Sequence, residues 1–336
     1  MNKIVGVLGV FVVVCVVMYL AGCGGSSGGS STTAGGGTAA VGSLGGTVYN
    51  TAVAVGDLAQ VEFNASTNQY AYEIVSGSGQ GEKSSGTLTK THDYLYQDAD
   101  GSPVIIFPDN VFIAPSGGTG MLVGVPRLTS DYDATAIAGV YNYVELAGTS
   151  SQSFSDYTGA YGTFRVNSGG TWDALESGNL GGGASAGSSG TWTDQGNGVL
   201  IVKDSSGNKI GNAMLHPNYN SSGTTEKVLI IDLCDSSGSG WYGAMVGVKQ
   251  QSITSGSVDG TYKLLESDES GLITVTVNGG TATTPGGSMP LNYDSPWQGF
   301  INSTADNTLV LISPSGIFFG GGSDSTSAWI FAGIKQ

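Results

Sequence analysis

This sequence predicts an all-β protein built from repeated antiparallel meanders, and three observations carry that reading. Beyond residue 46 no segment sustains a helical apolar period, whereas short β-branched and aromatic runs recur throughout. Turn chemistry separates the runs: Asp100-Gly101, Asn197-Gly198, Ser206-Gly207-Asn208, Asn278-Gly279-Gly280 and Pro314-Ser315-Gly316 supply residues that accept positive φ at a hairpin. One strand-like segment is written three times, as Gly120-Met121-Leu122-Val123-Gly124-Val125, Ala244-Met245-Val246-Gly247-Val248-Lys249-Gln250 and Trp329-Ile330-Phe331-Ala332-Gly333-Ile334-Lys335-Gln336.

In chain order, Met1-Asn2-Lys3 is a short cationic start, Ile4 to Met18 is almost continuously apolar, and small residues follow, the anatomy of a secretory signal peptide. Ile4 to Gly22 is also about long enough to span a bilayer, but small residues ending in cysteine suit a processing peptidase better. Leu20-Ala21-Gly22-Cys23 resembles the lipobox of bacterial lipoproteins. The resemblance implies cleavage between Gly22 and Cys23, removal of residues 1–22, and acylation of Cys23 with palmitate-like chains. Stable anchoring needs two or more such chains and no spanning helix. Gly24 stands where inner-membrane retention in many such lipoproteins places Asp, so the resemblance favours the outer membrane, on its periplasmic or its surface face. Residues 23–46 form the next unit; from 24 on they are almost wholly Gly, Ser, Thr and Ala, a composition that behaves as a flexible tether.

The threefold repeat divides the rest into β modules at 47–129, 130–254 and 255–336. Strand-like runs include Ala59–Asn64, Gln69–Val75, Val104–Phe107, Tyr141–Leu146, Gly198–Val202, Lys227–Leu233, Leu272–Val277 and Thr308–Ile312. Each closing strand is preceded by a buried-looking run: Val104-Ile105-Ile106-Phe107, Val228-Leu229-Ile230-Ile231 or Leu309-Val310-Leu311-Ile312. The later copies open alike, on Gly139-Val140-Tyr141 and Gly260-Thr261-Tyr262; the first opens less clearly, around Val53 to Phe63. A meander of seven or eight strands per copy is similar in layout to the up-and-down barrels of avidin and the lipocalins. The central glycine would let first and last strands meet at a bend. Barrels or barrel-like β-sandwiches are therefore expected, with a β-propeller of two blades per copy as the alternative. The likeness implies no ligand.

The formal charge is −15, from 11 basic and 26 acidic residues with no basic cluster, which argues against a nucleic-acid partner. Cys15 leaves with the signal and Cys23 is committed to lipid, so Cys234 has no intrachain disulfide partner and reads as a small buried hydrophobe.

Candidate chemistry is sparse. Gly24-Gly25-Ser26-Ser27-Gly28 and Gly183-Ala184-Ser185-Ala186-Gly187 match a nucleophile-elbow pattern, but neither stands between a strand and a helix. The two histidines, His92 and His216, begin and end strand-like runs. Asp98-Ala99-Asp100-Gly101-Ser102 opens like a calcium loop and lacks its later bidentate acid; Asp204-Ser205-Ser206-Gly207 and Asp235-Ser236-Ser237-Gly238 read as turns. Glycosidase carboxylates have no fixed spacing, so Glu73, Glu145, Glu176 and Glu266 are the acids to inspect. Of Trp172, Trp192, Trp241, Trp297 and Trp329, Trp241 with Tyr242 follows a Gly-Ser-Gly stretch and is the candidate for stacking on a ligand. No cofactor is implied. The expectation is a non-catalytic envelope lipoprotein that binds a ligand, adheres or acts as a scaffold, with a carbohydrate-binding or carbohydrate-active module as the alternative. Its partners would be the membrane, through the anchor, and a small ligand, a glycan or an envelope protein.

Overall fold

Each turn singled out above contains residues in the left-handed region: Gly101, Asn197, Gly198, Gly207, Gly279, Gly280 and Gly316 have φ between 56° and 88°. They join antiparallel strands in a computed structural model that describes residues 39–336 apart from 54–55, 78, 108–109, 117–119, 150–156, 217–227, 235–240, 267–271, 304–307 and 324–327. Gly22 and Cys23 lie outside the described residues.

The first sheet comprises β1 (Thr47–Val53), β2 (Asp57–Asn64), β3 (Gln69–Ser76), β4 (Lys83–Thr87), β5 (Thr89–His92), β6 (Leu95–Gln97), β7 (Pro103–Phe107), β8 (Val111–Ser116) and β9 (Gly120–Pro126). The second comprises β10 (Gly139–Gly148), β11 (Thr158–Asn167), β12 (Thr171–Glu176), β13 (Ser188–Asp194), β14 (Leu200–Asp204), β15 (Lys209–Leu215), β16 (Val228–Cys234) and β17 (Tyr242–Lys249). The third comprises β18 (Gly260–Glu266), β19 (Ile273–Asn278), β20 (Thr281–Thr284), β21 (Gly287–Tyr293), β22 (Ile301–Ser303), β23 (Thr308–Ile312), β24 (Ile317–Ser323) and β25 (Ala328–Lys335).

The second and third sheets are closed eight-stranded barrels, sealed by β10 on β17 and β18 on β25. The first is a nine-stranded sheet in which β1 pairs with β9. Its end strands, β4 and β5, are separated only by Leu88, whose buried side chain joins the sheet's own core. These ladders are barrels or near-barrels rather than propeller blades. The first copy opens on β1, ahead of the Val53–Phe63 stretch: Tyr49 occupies the place of Tyr141 and Tyr262, and the opening was hidden because Thr47 stands where they are preceded by Gly139 and Gly260.

Each closing strand is buried on both faces, which explains its unbroken hydrophobicity. In β9, β17 and β25 one face sends Leu122, Met245, or Trp329 and Phe331 into the strand's own sheet. The other face carries Met121, Val123 and Val125; Ala244, Val246 and Val248; or Ile330, Ala332 and Ile334, and all nine belong to one cluster shared by the three sheets. The preceding runs divide the same way. Ile105, Ile230 and Leu311 join the shared cluster, while Ile106, Ile231 and Ile312 point inward.

The glycines of the closing strands sit where backbones come too close for a side chain. A Cβ on Gly124, Gly247 or Gly333 would lie 2.9, 2.8 or 2.2 Å from a carbonyl oxygen of the opening strand. The linkers then plug the barrels that follow them. Tyr132 and Ile137 enter the second core, Ile253 and Val258 the third. The opening tyrosines hold those plugs: Tyr141 donates to the Ile137 carbonyl at 2.7 Å and Tyr262 to the Val258 carbonyl at 2.6 Å.

The last residues of the Gly-rich segment are docked rather than free. The buried Glu62 carboxylate accepts the backbone N–H groups of Gly42, Leu44 and Gly46 at 2.7–3.1 Å, and Asn64 donates to the Leu44 carbonyl. A carboxylate receiving several amides is strongly favoured in a buried setting.

One consequence is cooperative unfolding. Gly333→Ala forces backbone to move and should destabilise by about 3 kcal/mol; because the cores are shared, calorimetry should show one transition displaced to lower temperature. An unchanged transition for the other two barrels beside a displaced third would contradict this.

Candidate functional site

The two closed eight-stranded barrels carry aromatic side chains in their interiors. Phe164 stacks on Trp172 inside the second barrel with centroids 5.3 Å apart, and Phe318 stacks on Phe331 inside the third at 5.2 Å. Trp172 and Trp329 are thus interior residues, the first donating its indole N–H to the Lys203 carbonyl. Half-buried Trp192 packs on the second core. Trp241 is 49% exposed, whereas its neighbour Tyr242 lies beneath Gly56 of the first sheet, so the two do not form one stacking platform.

Asp98 spends its carboxylate on its own turn, Oδ1 accepting from the Asp100 and Ser102 amides at 3.0 and 2.8 Å. Asp204 does the same for Ser206 and Asn208. Among the described residues no group of three metal-ligating side chains converges. Ser185 sits in the exposed connection between β12 and β13, with no helix following it as an elbow would require; Gly24–Gly28 and Asp235–Gly238 fall outside the described residues. His92 is exposed and His216 buried. Glu73 pairs with Lys83 at 3.0 Å across β3 and β4, and Glu266 pairs in register with Phe331 on the third barrel's closing seam.

Two further sites lie between sheets; of their acids, sequence reasoning named Glu145 and missed Asp232. One is on the outer face of β16, where it packs on β1, β2 and β9. Asp232 is fully buried there; its Oδ2 accepts from Asn212 Nδ2 at 2.8 Å, and its Oδ1 has no partner among the described residues. Burial pushes the Asp232 carboxyl up to about 7, and the nearby Asp57 adds to the rise. Cys234, a free thiol, lies 3.4 Å from Asn212 Nδ2, and burial beside Asp232 pushes it up to about 12. An unreactive thiol follows from that displacement.

The other is a cavity of about 310 Å³ between the second and third barrels. Val144, Glu145, Gly159, Ala160 and Tyr161 line it from β10 and β11, while Asn302, Leu309, Gly321 and Gly322 line it from the third barrel, with Pro296. Tyr161 stacks on Trp297 with centroids 5.8 Å apart, and Trp297 donates its indole N–H to Asn142 Oδ1 at 2.9 Å. Asn142 Nδ2 in turn donates to the Gln298 carbonyl at 2.8 Å. Half-buried Glu145 is pushed up to about 7 by desolvation and then by Glu176, and burial with the same two acids raises the Tyr143 phenol. Of the four acids named from sequence, Glu145 alone lines this cavity. The available signal was Gly320-Gly321-Gly322, three glycines within one strand, which marks a close approach: a Cβ on Gly320 or Gly322 would strike the Phe331 or Trp329 ring, and one on Gly321 would come 3.6 Å from Val144 of the second barrel.

No protein-family profile and no curated protein sequence matches the chain.

The Asp232 carboxyl carries a pH signature. Its raised value means that between about pH 4 and 7 the folded chain retains a proton that the unfolded chain has lost, so stability falls as pH rises through that window. Asp232→Asn should leave the denaturation midpoint at pH 3 nearly unchanged and raise stability at pH 8, on the order of 4 kcal/mol. Equal midpoint shifts at both pH values would refute the assignment.

Proposed function

We propose that the chain is a lipid-anchored, non-catalytic envelope protein in which Cys23 carries acyl chains at an outer membrane and the three barrels form one rigid body serving as a ligand-binding, adhesion or scaffold unit. The observation that supports the non-catalytic part is that each sheet packs an apolar core of its own side chains while, among the described residues, no group of three acidic, histidine or cysteine side chains converges. A body held together by a shared apolar core keeps its outer surface in a fixed geometry, which is what display from a tether requires. The anchor itself rests on the lipobox resemblance of Leu20-Ala21-Gly22-Cys23.

A second reading, a carbohydrate-binding or carbohydrate-active protein, draws on the interbarrel cavity, where Glu145 lies with Tyr161 and its stacked partner Trp297. Hydrolysis of a polysaccharide that is lost in Glu145→Gln would favour it over the scaffold.

The anchor is tested by feeding cells labelled palmitate. The full chain should incorporate label and fractionate with the outer membrane, and Cys23→Ala should abolish labelling while leaving an unprocessed precursor or a released protein. Label retained in the Cys23→Ala chain would overturn the proposal.

A further inference from the structure

We infer that the joint between the first sheet and the second barrel is a pH-sensitive seam, closed while Asp232 is protonated and opened locally to water once Asp232 ionises. The inference stands on the packing of that joint and does not depend on the lipid anchor.

The two bodies meet closely there. β16 packs on β1, β2 and β9. Gly56, between β1 and β2, fits so tightly that a Cβ on it would lie 2.6 Å from the Leu233 carbonyl oxygen and 2.9 Å from the Tyr242 ring. Alternation along β16 sends Leu229, Ile231 and Leu233 to the second barrel's own core and Val228 and Ile230 to the shared one, so Asp232 stands on the outer face with the latter pair. Asp232 is fully buried, and its Oδ1 has no hydrogen-bond partner among the described residues. The neutral acid is tolerated in such a place, with Asn212 Nδ2 meeting its other oxygen at 2.8 Å. The carboxylate leaves a charged oxygen without solvent or donor, which is costly.

The groups around it do not cancel that cost. From the first sheet, β2 brings a second buried acid, Asp57, while its Glu62 is taken up by the amides of Gly42, Leu44 and Gly46. β9 carries no titratable side chain, and Tyr49 of β1 points into the first sheet's core. From the second barrel, β15 brings Lys209, which favours the carboxylate; β17 brings Tyr242, and β16 itself brings Cys234. Burial dominates this balance and raises the Asp232 carboxyl to about 7. The closed seam therefore retains a proton that an open, hydrated one releases between about pH 4 and 7, so opening gains as pH rises across that window and levels off above it. Val228 and Ile230 keep their places in the shared cluster, which makes the response a local opening rather than a parting of the barrels.

Cys234 reports on the opening, since its sulfur lies 3.4 Å from Asn212 Nδ2 within the seam. Its labelling by iodoacetamide is followed by mass spectrometry of the peptide that carries it, on the full chain in mild detergent. Dividing by the rate in the denatured chain at the same pH removes the thiolate's own pH dependence. Protection should fall on the order of a hundredfold between pH 5 and pH 8, and it should change little with low concentrations of urea, as local opening does. In Asp232→Asn it should be nearly flat with pH. Asn212→Ala removes the donor that favours the carboxylate and should carry the fall to higher pH, which keeps the test decisive where the first variant misfolds. Protection independent of pH, a fall that persists in Asp232→Asn, a fall displaced to lower pH in Asn212→Ala, or labelling that climbs with urea as global unfolding does would each overturn the proposal.

Discussion

The whole structure depends on the outward apolar faces of β9, β17 and β25. Closing a meander into a barrel removes its edges and leaves an outer surface that water must cover. Here that surface is aliphatic along the closing strand and the run before it, so no barrel can be stable with that face exposed. Packing the three faces together is the arrangement that buries them all, and the threefold sequence repeat follows as its consequence: each copy presents the same two-sided strand to the common core. The central glycines belong to the same constraint, because seam strands must approach closely for the ladder to close behind that face.

Apolar contact alone does not set the angle between barrels, and polar joints do this work. Asn50, on the opening strand of the first sheet, donates to the Asn197 carbonyl of the second barrel at 2.7 Å. Asn142, in register with Asn50 one copy later, reaches Gln298 and Trp297 of the third. Buried polar groups that must find partners confer specificity of this sort more readily than stability. In the third copy the corresponding residue is Lys263, which turns to Thr274 within its own barrel. The threefold relation is therefore broken at the joints, and the joint built by Asn142 is the one that holds Trp297 against Tyr161 at the edge of the cavity.

Much of the fold was legible because it depends on local rules. The turns were readable from residues tolerant of positive φ, and the strands from β-branched runs such as Thr308–Ile312, which is β23 itself. The start of the first copy was not legible, since Thr47 replaces the glycine that announces Tyr141 and Tyr262. The docking of residues 39–46 was hidden for another reason. A Gly-rich composition indicates a coil, yet its unpaired amides are what the distant Glu62 carboxylate collects. Asp232 and the cavity at Glu145 were the least legible, because each depends on which outer faces meet. An acid in the middle of Leu229-Ile230-Ile231-Asp232-Leu233 signals only that one face turns polar there; that Asp57 of another copy stands nearby is a property of the assembly.

Phe164 and Trp172 in the second barrel and Phe318 and Phe331 in the third commit those interiors to aromatic packing. Variation without loss of the core is then confined to the joints, where an outer face is polar and two barrels supply different residues. Asp232 occupies such a joint, while Glu145 shares the inward face of β10 with Tyr143, and both carry a carboxyl whose charge the fold disfavours. The first is enclosed against β1, β2 and β9, where Asn212 donates to one of its oxygens and Lys209 offsets part of the cost of its burial. The second stands on the inward face of β10 with Tyr143, where burial and the neighbouring Glu176 together disfavour its charge, so the two carboxyls are raised by the same cause on opposite faces of one barrel.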